Sequence, residues 1–384
     1  MLKYQFFTKT VSYLLMFFAL YYVFLSLLFI FVHMRQEFII GMDYVSFRSG
    51  AQIVRSQEKS SIYKINLQRS YQKERLEIGE EVLPFRNPPF TTLIFIPLSN
   101  LSYDIGYKLF ALFNIFLLML LFFVFRKRFG LPSIALLILM VFYRPVFETI
   151  LQGQITIVIL LLITVSYLLL KKKLYFSSGF LLSFILMKPS YLLLVPFILL
   201  LVPKRKLLYG LVIGSFIFLA VNTFLVGFSA LSFYPRFLLM TEESLFGSNL
   251  EKFPSIYSFL LYFENTFDVG VYFAPVVLGA SYLIVVFYFY RMVGRTTFEV
   301  LYSVAIIFAL VFSPHLLLHD LVLLLLPIII LAKSAEADKG VFIPLLFLFS
   351  ASYLAFITKP FVVALLLFVV GVWIINLSKN ILPV

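Results

Sequence analysis

Few of the chain's side chains can ionise, and a handful of these sit where chemistry between water and lipid is feasible. Asp43 stands just past the first apolar stretch. A carboxylate at that boundary can take a proton from an acceptor hydroxyl when it lies within hydrogen-bond reach of the attacking oxygen. The plainer alternative is an N-capping or surface aspartate. Lys188, in Leu186-Met187-Lys188-Pro189-Ser190, lies between two apolar runs. A cation so deep in apolar sequence is costly. It reads either as a group facing a phosphate or as a side chain snorkelling to the headgroups. Arg144, in Tyr143-Arg144-Pro145, has a similar setting. Arg48 and Arg86 are further cations, in a segment already rich in charge.

Gln152-Gly153-Gln154 reads as the opening of a helix, where the glycine permits close approach and free N–H groups suit anions or sugar hydroxyls. His315 and His319 are four apart, a spacing that puts them on one helical face, with Asp320 next. Such a set fits donors to a phosphate or hydrogen bonding inside a bundle. A divalent metal is possible but not favoured. Tyr44 and Tyr63 are read as contacts to a substrate, whereas most of the Phe and Tyr residues read as packing and lipid contact.

The elements that hold these residues must be membrane helices. Hydrophobic residues make up 62% of the chain, charged residues 13%, and the mean hydropathy is +1.04. Soluble domains have about half apolar residues and about 25% charged. A bilayer core of about 30 Å needs about 20 apolar residues per helix, and 11–32, 207–227 and 271–290 meet that length. The first of these is too long for a signal-peptide core and lacks a small-residue cleavage site, so it is read as a retained span. There is no cysteine, hence no disulfide framework and no thiolate chemistry.

The net charge of +13 does not indicate nucleic acid as a partner. Its clusters, Arg126-Lys127-Arg128, Lys171-Lys172-Lys173 and Lys204-Arg205-Lys206, each abut an apolar stretch, the pattern of cytoplasmic loops. With the N-terminus inside, further passes fall at 104–125, 131–143, 153–170, 174–187, 190–203, 297–312, 319–332, 341–357 and 360–376. The two pairs within 131–203 are short enough to be re-entrant hairpins. About 10–12 spans result, with both termini cytoplasmic. All but Glu299, Glu336 and Asp338 of the 18 acids, and all three histidines (His33, His315, His319), then fall outside.

The whole chain, 1–384, is read as a single all-α polytopic membrane domain. Its first extracytoplasmic loop, 33–88, is expected to form interfacial amphipathic helices, interrupted at Gly50 and stopped at Asn87-Pro88-Pro89. A brief apolar dip follows at 90–98. The second large outer loop is 228–270. No internal repeat is visible, which disfavours repeat-built transporter folds.

Several motifs recur in order: Asp43-Tyr44 after the first span, Gly50-Ala51, Ile62-Tyr63, Asn87-Pro88-Pro89 with Ile96-Pro97-Leu98, Gly153-Gln154, Lys188-Pro189, and Ser313-Pro314 with His319. From about residue 11 to 330 the chain resembles the polyprenol-phosphate-mannose-dependent mannosyltransferases, glycosyltransferase family 87 of the GT-C superfamily. It departs from the family pattern at Thr156 and at Leu317-Leu318.

The resemblance implies a GT-C-type helical bundle, an extracytoplasmic active site, a polyprenyl-phosphate sugar donor and an inverting transfer with Asp43 as base. Lys188, with Arg144, His315 or His319, would meet the donor phosphate. Tyr44, Arg48, Tyr63, Arg86, Gln152, Gln154 and Asp320 would contact substrate. No cofactor is expected. The expected partners are the lipid-linked donor of mannose or another hexose or pentose, a glycan or glycolipid acceptor, and the inner or plasma membrane. The rival readings are a transporter or flippase of lipid-linked sugars, and a glycan polymerase or ligase.

Overall fold

The computed structural model describes residues 42–73, 82–241, 253–270, 272–335 and 342–379. The expected span 11–32, His33 and the start of the first outer loop lie outside the described residues. Helices are numbered here from the first one described, and no strand occurs among the described residues.

Among the described residues, four helices are long and apolar enough to cross a bilayer: α3 (Tyr103–Phe129), α9 (Arg205–Val226), α12 (Phe273–Met292) and α16 (Phe361–Lys379). The pattern of α3 shows why. Gly106, Phe110, Asn114, Leu117, Leu121 and Phe125 recur every three or four residues and are buried, while Phe116 and Phe123 on other faces are exposed. An apolar residue left exposed on a long apolar helix is suited to lipid. Gly130, in the left-handed conformation, ends α3 by donating its N–H to the Arg126 carbonyl. At the centre of the bundle, α13 (Phe298–Val311) is buried from Val300 to Val311.

Shorter helices surround the polar residues. The segment expected as the first outer loop contains α1 (Met42–Arg55) and α2 (Ile65–Gln72). Far from resting one face on lipid, α1 is buried from Tyr44 to Ala51. Two of its polar side chains bond inside the protein: Arg48 donates to the Leu101 carbonyl at 3.1 Å, and Ser49 Oγ accepts from Gln72 at 3.1 Å. Gly50 does not interrupt α1 as its type suggests. It makes room for the Phe85 ring, which would lie 2.8 Å from an added Cβ.

The short pairs resolve as follows. The first contains α4 (Ser133–Phe142), then α5 (Arg144–Gln152), then α6 (Thr156–Lys171). The second is a hairpin: α7 (Tyr175–Leu182) runs into a 3-10 turn at Ser183–Met187, reaches Lys188, and returns through a 3-10 turn at Pro189–Leu193 into α8 (Leu194–Leu201). The expected span at 319–332 is likewise divided, into a 3-10 stretch Leu318–Leu324 and α14 (Leu325–Ala335). The segment expected as the second outer loop carries α10 (Phe228–Met240) and α11 (Ile256–Phe267), and α15 (Phe342–Ile357) precedes α16.

The hairpin is held by close backbone packing of α7 on α9. An added Cβ on Gly179 would run into the Leu207 carbonyl, one on Gly210 into the Phe176 carbonyl, and one on Gly214 into Ser183 Oγ. Small residues four apart let membrane helices approach in this way.

Candidate active site

Asp43 lies in the first turn of α1, where a carboxylate suits the helix dipole. Its neighbour Tyr44 fixes it. The Tyr44 ring is fully buried among Phe95, Tyr103, Tyr107 and Phe110, with ring centroids 5.5–6.0 Å apart. Two glycines make room for it. A Cβ on Gly106 would strike the Tyr44 hydroxyl, and one on Gly153 would come within 2.7 Å of Tyr44 Cβ.

Gly153 therefore ends a helix and does not open one. It closes α5 in the left-handed conformation (φ 72°), a geometry that glycine adopts without strain. The turn it makes turns Gln154 towards α1, and Gln154 Nε2 donates to Asp43 Oδ2 at 2.8 Å. Burial pushes the Asp43 carboxyl above its ordinary 3.8. The Gln154 hydrogen bond and the Lys188 charge pull it back down, Asp320 pushes it up, and His315 lowers it. The side chain is still 30% exposed, so it is open to a substrate.

Lys188 arrives from another direction, at the tip of the α7–α8 hairpin. The break in helix there frees backbone groups, and such irregular backbone persists at membrane depth only where protein satisfies it. Asn87 Nδ2 (2.8 Å) and Thr91 Oγ1 (3.2 Å) both donate to the Met187 carbonyl. Lys188 forms an ion pair with buried Asp320 and donates to His319 Nε2 at 3.1 Å. Asp320 also accepts from the Tyr191 hydroxyl (2.5 Å) and the Leu317 N–H (2.9 Å).

With Nε2 accepting from an ammonium, the His319 proton is assigned to Nδ1, which lies 2.8 Å from Gln152 Oε1. Both ring nitrogens are thus engaged. The same Nδ1 is 4.0 Å from Asp43 Oδ2, so the imidazole stands between the carboxylate and the ammonium.

Asp43 and Lys188 open into one cleft of about 350 Å³. Gln154, Arg86, Asn87, Ser190 and His315 also line it. Arg86 approaches His315 Nδ1 at 3.4 Å, and its carbonyl accepts from Tyr234 at 2.7 Å. Of the sequence-selected residues, Asp43, Arg86, Gln154, Lys188 and His315 share this lining. Gln152, His319 and Asp320 form the layer behind it.

The others point elsewhere. Arg144 is outside the lining: its guanidinium donates to Glu148 Oε1 (3.1 and 2.9 Å) and to the Ser352 carbonyl (2.7 Å), bracing α5 against α15. Arg48 binds the Leu101 carbonyl. Tyr44 is packing for α1. Tyr63 donates to the Asn87 carbonyl at 3.0 Å and packs on Tyr234 and Phe237. His315 and His319 do not share a helical face. Pro314 and His315 form a turn, the chain then extends at Leu317, and only His319 is in the 3-10 stretch. Asn87 and Ser190 line the cleft without having been singled out for chemistry. Their adjacency to Pro88-Pro89 and Lys188-Pro189 was the available signal.

A polar cleft whose lining includes one acid and the cations Arg86 and Lys188 is set in a bundle of apolar helices. The family is given by sequence: the model for glycosyltransferase family 87 matches residues 85–314, and the chain belongs to that family. It is a membrane glycosyltransferase. The matched stretch contains Arg86, Gln154 and Lys188, while Asp43 lies before it and His315, His319 and Asp320 after it. No curated protein and no solved structure matches the chain.

Proposed function

We propose that the protein transfers a sugar, mannose or another hexose or pentose, from a polyprenyl-phosphate donor to a hydroxyl of a glycan or glycolipid, with inversion. The observation that carries this reading is the shared cleft, in which the Asp43 carboxylate faces the Lys188 ammonium and the Arg86 guanidinium. Asp43 takes the acceptor proton while the acceptor oxygen bonds to the anomeric carbon. The bond from that carbon to the phosphate oxygen breaks, and its electron pair leaves with the lipid phosphate. Lys188, Arg86 and His315 balance the charge that develops there. An ammonium has three N–H donors, and Asp320 and His319 engage two of Lys188's, which leaves one for the phosphate. Gln154 orients the base.

In this reading the cleft faces the extracytoplasmic side of the plasma or inner membrane, with both termini cytoplasmic. Loops 33–88 and 228–270 belong to that outer side. Cationic side chains take the role that a divalent ion would otherwise have, so a chelator leaves the rate unchanged.

The test is to incubate membranes carrying the protein with a panel of polyprenyl-phosphate sugars and identify the product by mass spectrometry. A new glycosidic bond, absent with Asp43→Asn at equal protein abundance, is the expected result. Turnover retained in that variant removes Asp43 as base. Sugar that crosses vesicles with no new bond replaces the reading with transport.

A further inference from the structure

The cleft is not the only place where charge is gathered. Both α3 and α6 begin beside Asp43, α3 through Gly106 against Tyr44 and α6 two residues after Gln154. At their far ends lies a second depression, of about 420 Å³. Along α6, at 1.5 Å per residue over 16 residues, the two are about 24 Å apart.

Its rim is basic. Arg128 comes from the last turn of α3, Lys171 and Lys172 from the end of α6, and Lys333 from α14, against the single carboxylate of Glu299. Cations at helix C-termini and on one side of a membrane protein have an ordinary explanation in the helix dipole and in topology. Neither effect requires three elements to converge on one hollow. Lys171 is paired with Glu299. Arg128, Lys172 and Lys333 are exposed and have no ion-pair partner among the described residues.

The floor is apolar. Phe129, Tyr167 and Ile330 are each at most 6% exposed. Elsewhere on its surface α3 presents Phe116, Leu120 and Phe123, exposed by 41–60%. A ligand that suits this hollow has an anionic head, and its apolar body lies along a lipid-facing helix. Basic pockets between membrane helices take phosphate headgroups in this way.

We propose that this depression binds the phosphate headgroup of an anionic membrane lipid in the leaflet opposite the sugar-transfer cleft. The inference does not depend on the reaction proposed above, since none of its residues lines that cleft. Binding places a compensating charge between the ends of α3, α6 and α14.

The test uses the full chain in phosphatidylcholine nanodiscs doped with phosphatidylglycerol, with retained lipid counted by native mass spectrometry. Lys172→Gln with Lys333→Gln removes two of the rim cations. Arg205→Gln with Lys206→Gln removes equal charge from exposed positions at the start of α9. The preference for phosphatidylglycerol is expected to fall about 30-fold in the first pair and to persist in the second. Equal retention in all three proteins, or equal loss in both pairs, overturns the proposal in favour of a diffuse basic surface. A third arm adds glycerol 1-phosphate at millimolar concentration. Displacement of the lipid by it identifies a soluble phosphate as the ligand and overturns the lipid assignment, whereas retention supports it.

Discussion

Asp43 and Lys188 reach one cleft from opposite directions, and each can be tested through the residue that restrains it. Because burial raises the Asp43 carboxyl, the acidic limb of kcat/KM is expected above the ordinary range of a carboxylic acid. Activity falls with pH there because protonated Asp43 cannot accept a proton. The Gln154 hydrogen bond holds that value down, so Gln154→Leu should move the limb to higher pH, measured as a pH–rate profile. Lys188→Gln leaves buried Asp320 without its cation, a change that costs about 3–5 kcal/mol when one partner of a buried pair is lost. Adding Asp320→Asn should recover much of that stability in thermal unfolding without restoring transfer. Sequence made Asp43, Gln154 and Lys188 visible, because each is polar where its surroundings are not. It also contained the spacing that removes Arg144 from the cleft: Glu148 is four residues on, and the two side chains meet on one helical face. What it could not give is the order of His319 between Lys188 and Asp43. That order depends on elements 131 residues apart in the chain.

At the level of elements, the α7–α8 hairpin is what carries a cation to the cleft. Its position rests on the glycine contacts with α9 and on Asn87 and Thr91 at the Met187 carbonyl. Gly210→Leu should therefore separate α7 from α9, lowering thermal stability by about 1–3 kcal/mol or more and reducing transfer in parallel. Asn87→Leu leaves that carbonyl with Thr91 alone. It should depress kcat more than stability, because the hairpin tip moves while its stems stay packed. The long spans α3, α9 and α12 were legible within a few residues, since twenty apolar positions in a row have few other uses. The 3-10 turns on either side of Lys188 were not, because local sequence there is apolar and helix-compatible. The turn is imposed by Pro189 and by partners elsewhere in the chain. The two histidines were misplaced on a common face for the same reason, as Pro314 bends the chain before the helical register is established.

The whole molecule has two chemically unlike ends. The basic runs after α3 and α6 and before α9 lie at the end of the bundle away from α1, since Asn222 near the end of α9 accepts from the Phe90 N–H at 2.6 Å beside the cleft. The chain has no cysteine, so single cysteines can report sidedness without background. Glu58→Cys and Lys127→Cys, both at exposed positions, should react with a membrane-impermeant maleimide from opposite sides of intact cells, Glu58→Cys from outside. Reaction of both from one side would contradict the bundle's polarity. Composition and charge runs disclosed this polarity before any coordinate did. The depth to which α1 is buried was not disclosed, because an amphipathic pattern is equally satisfied by lipid and by protein.

The seating of Tyr44 between Gly106 and Gly153 has a further consequence for how such an enzyme can diverge. The two bare backbone positions behind the acid have little latitude: a single methyl group on either would tilt the tyrosine and displace the neighbouring Asp43 carboxylate. On the proposed mechanism, the geometry of proton transfer is thus anchored by two glycines that lie outside the cleft lining.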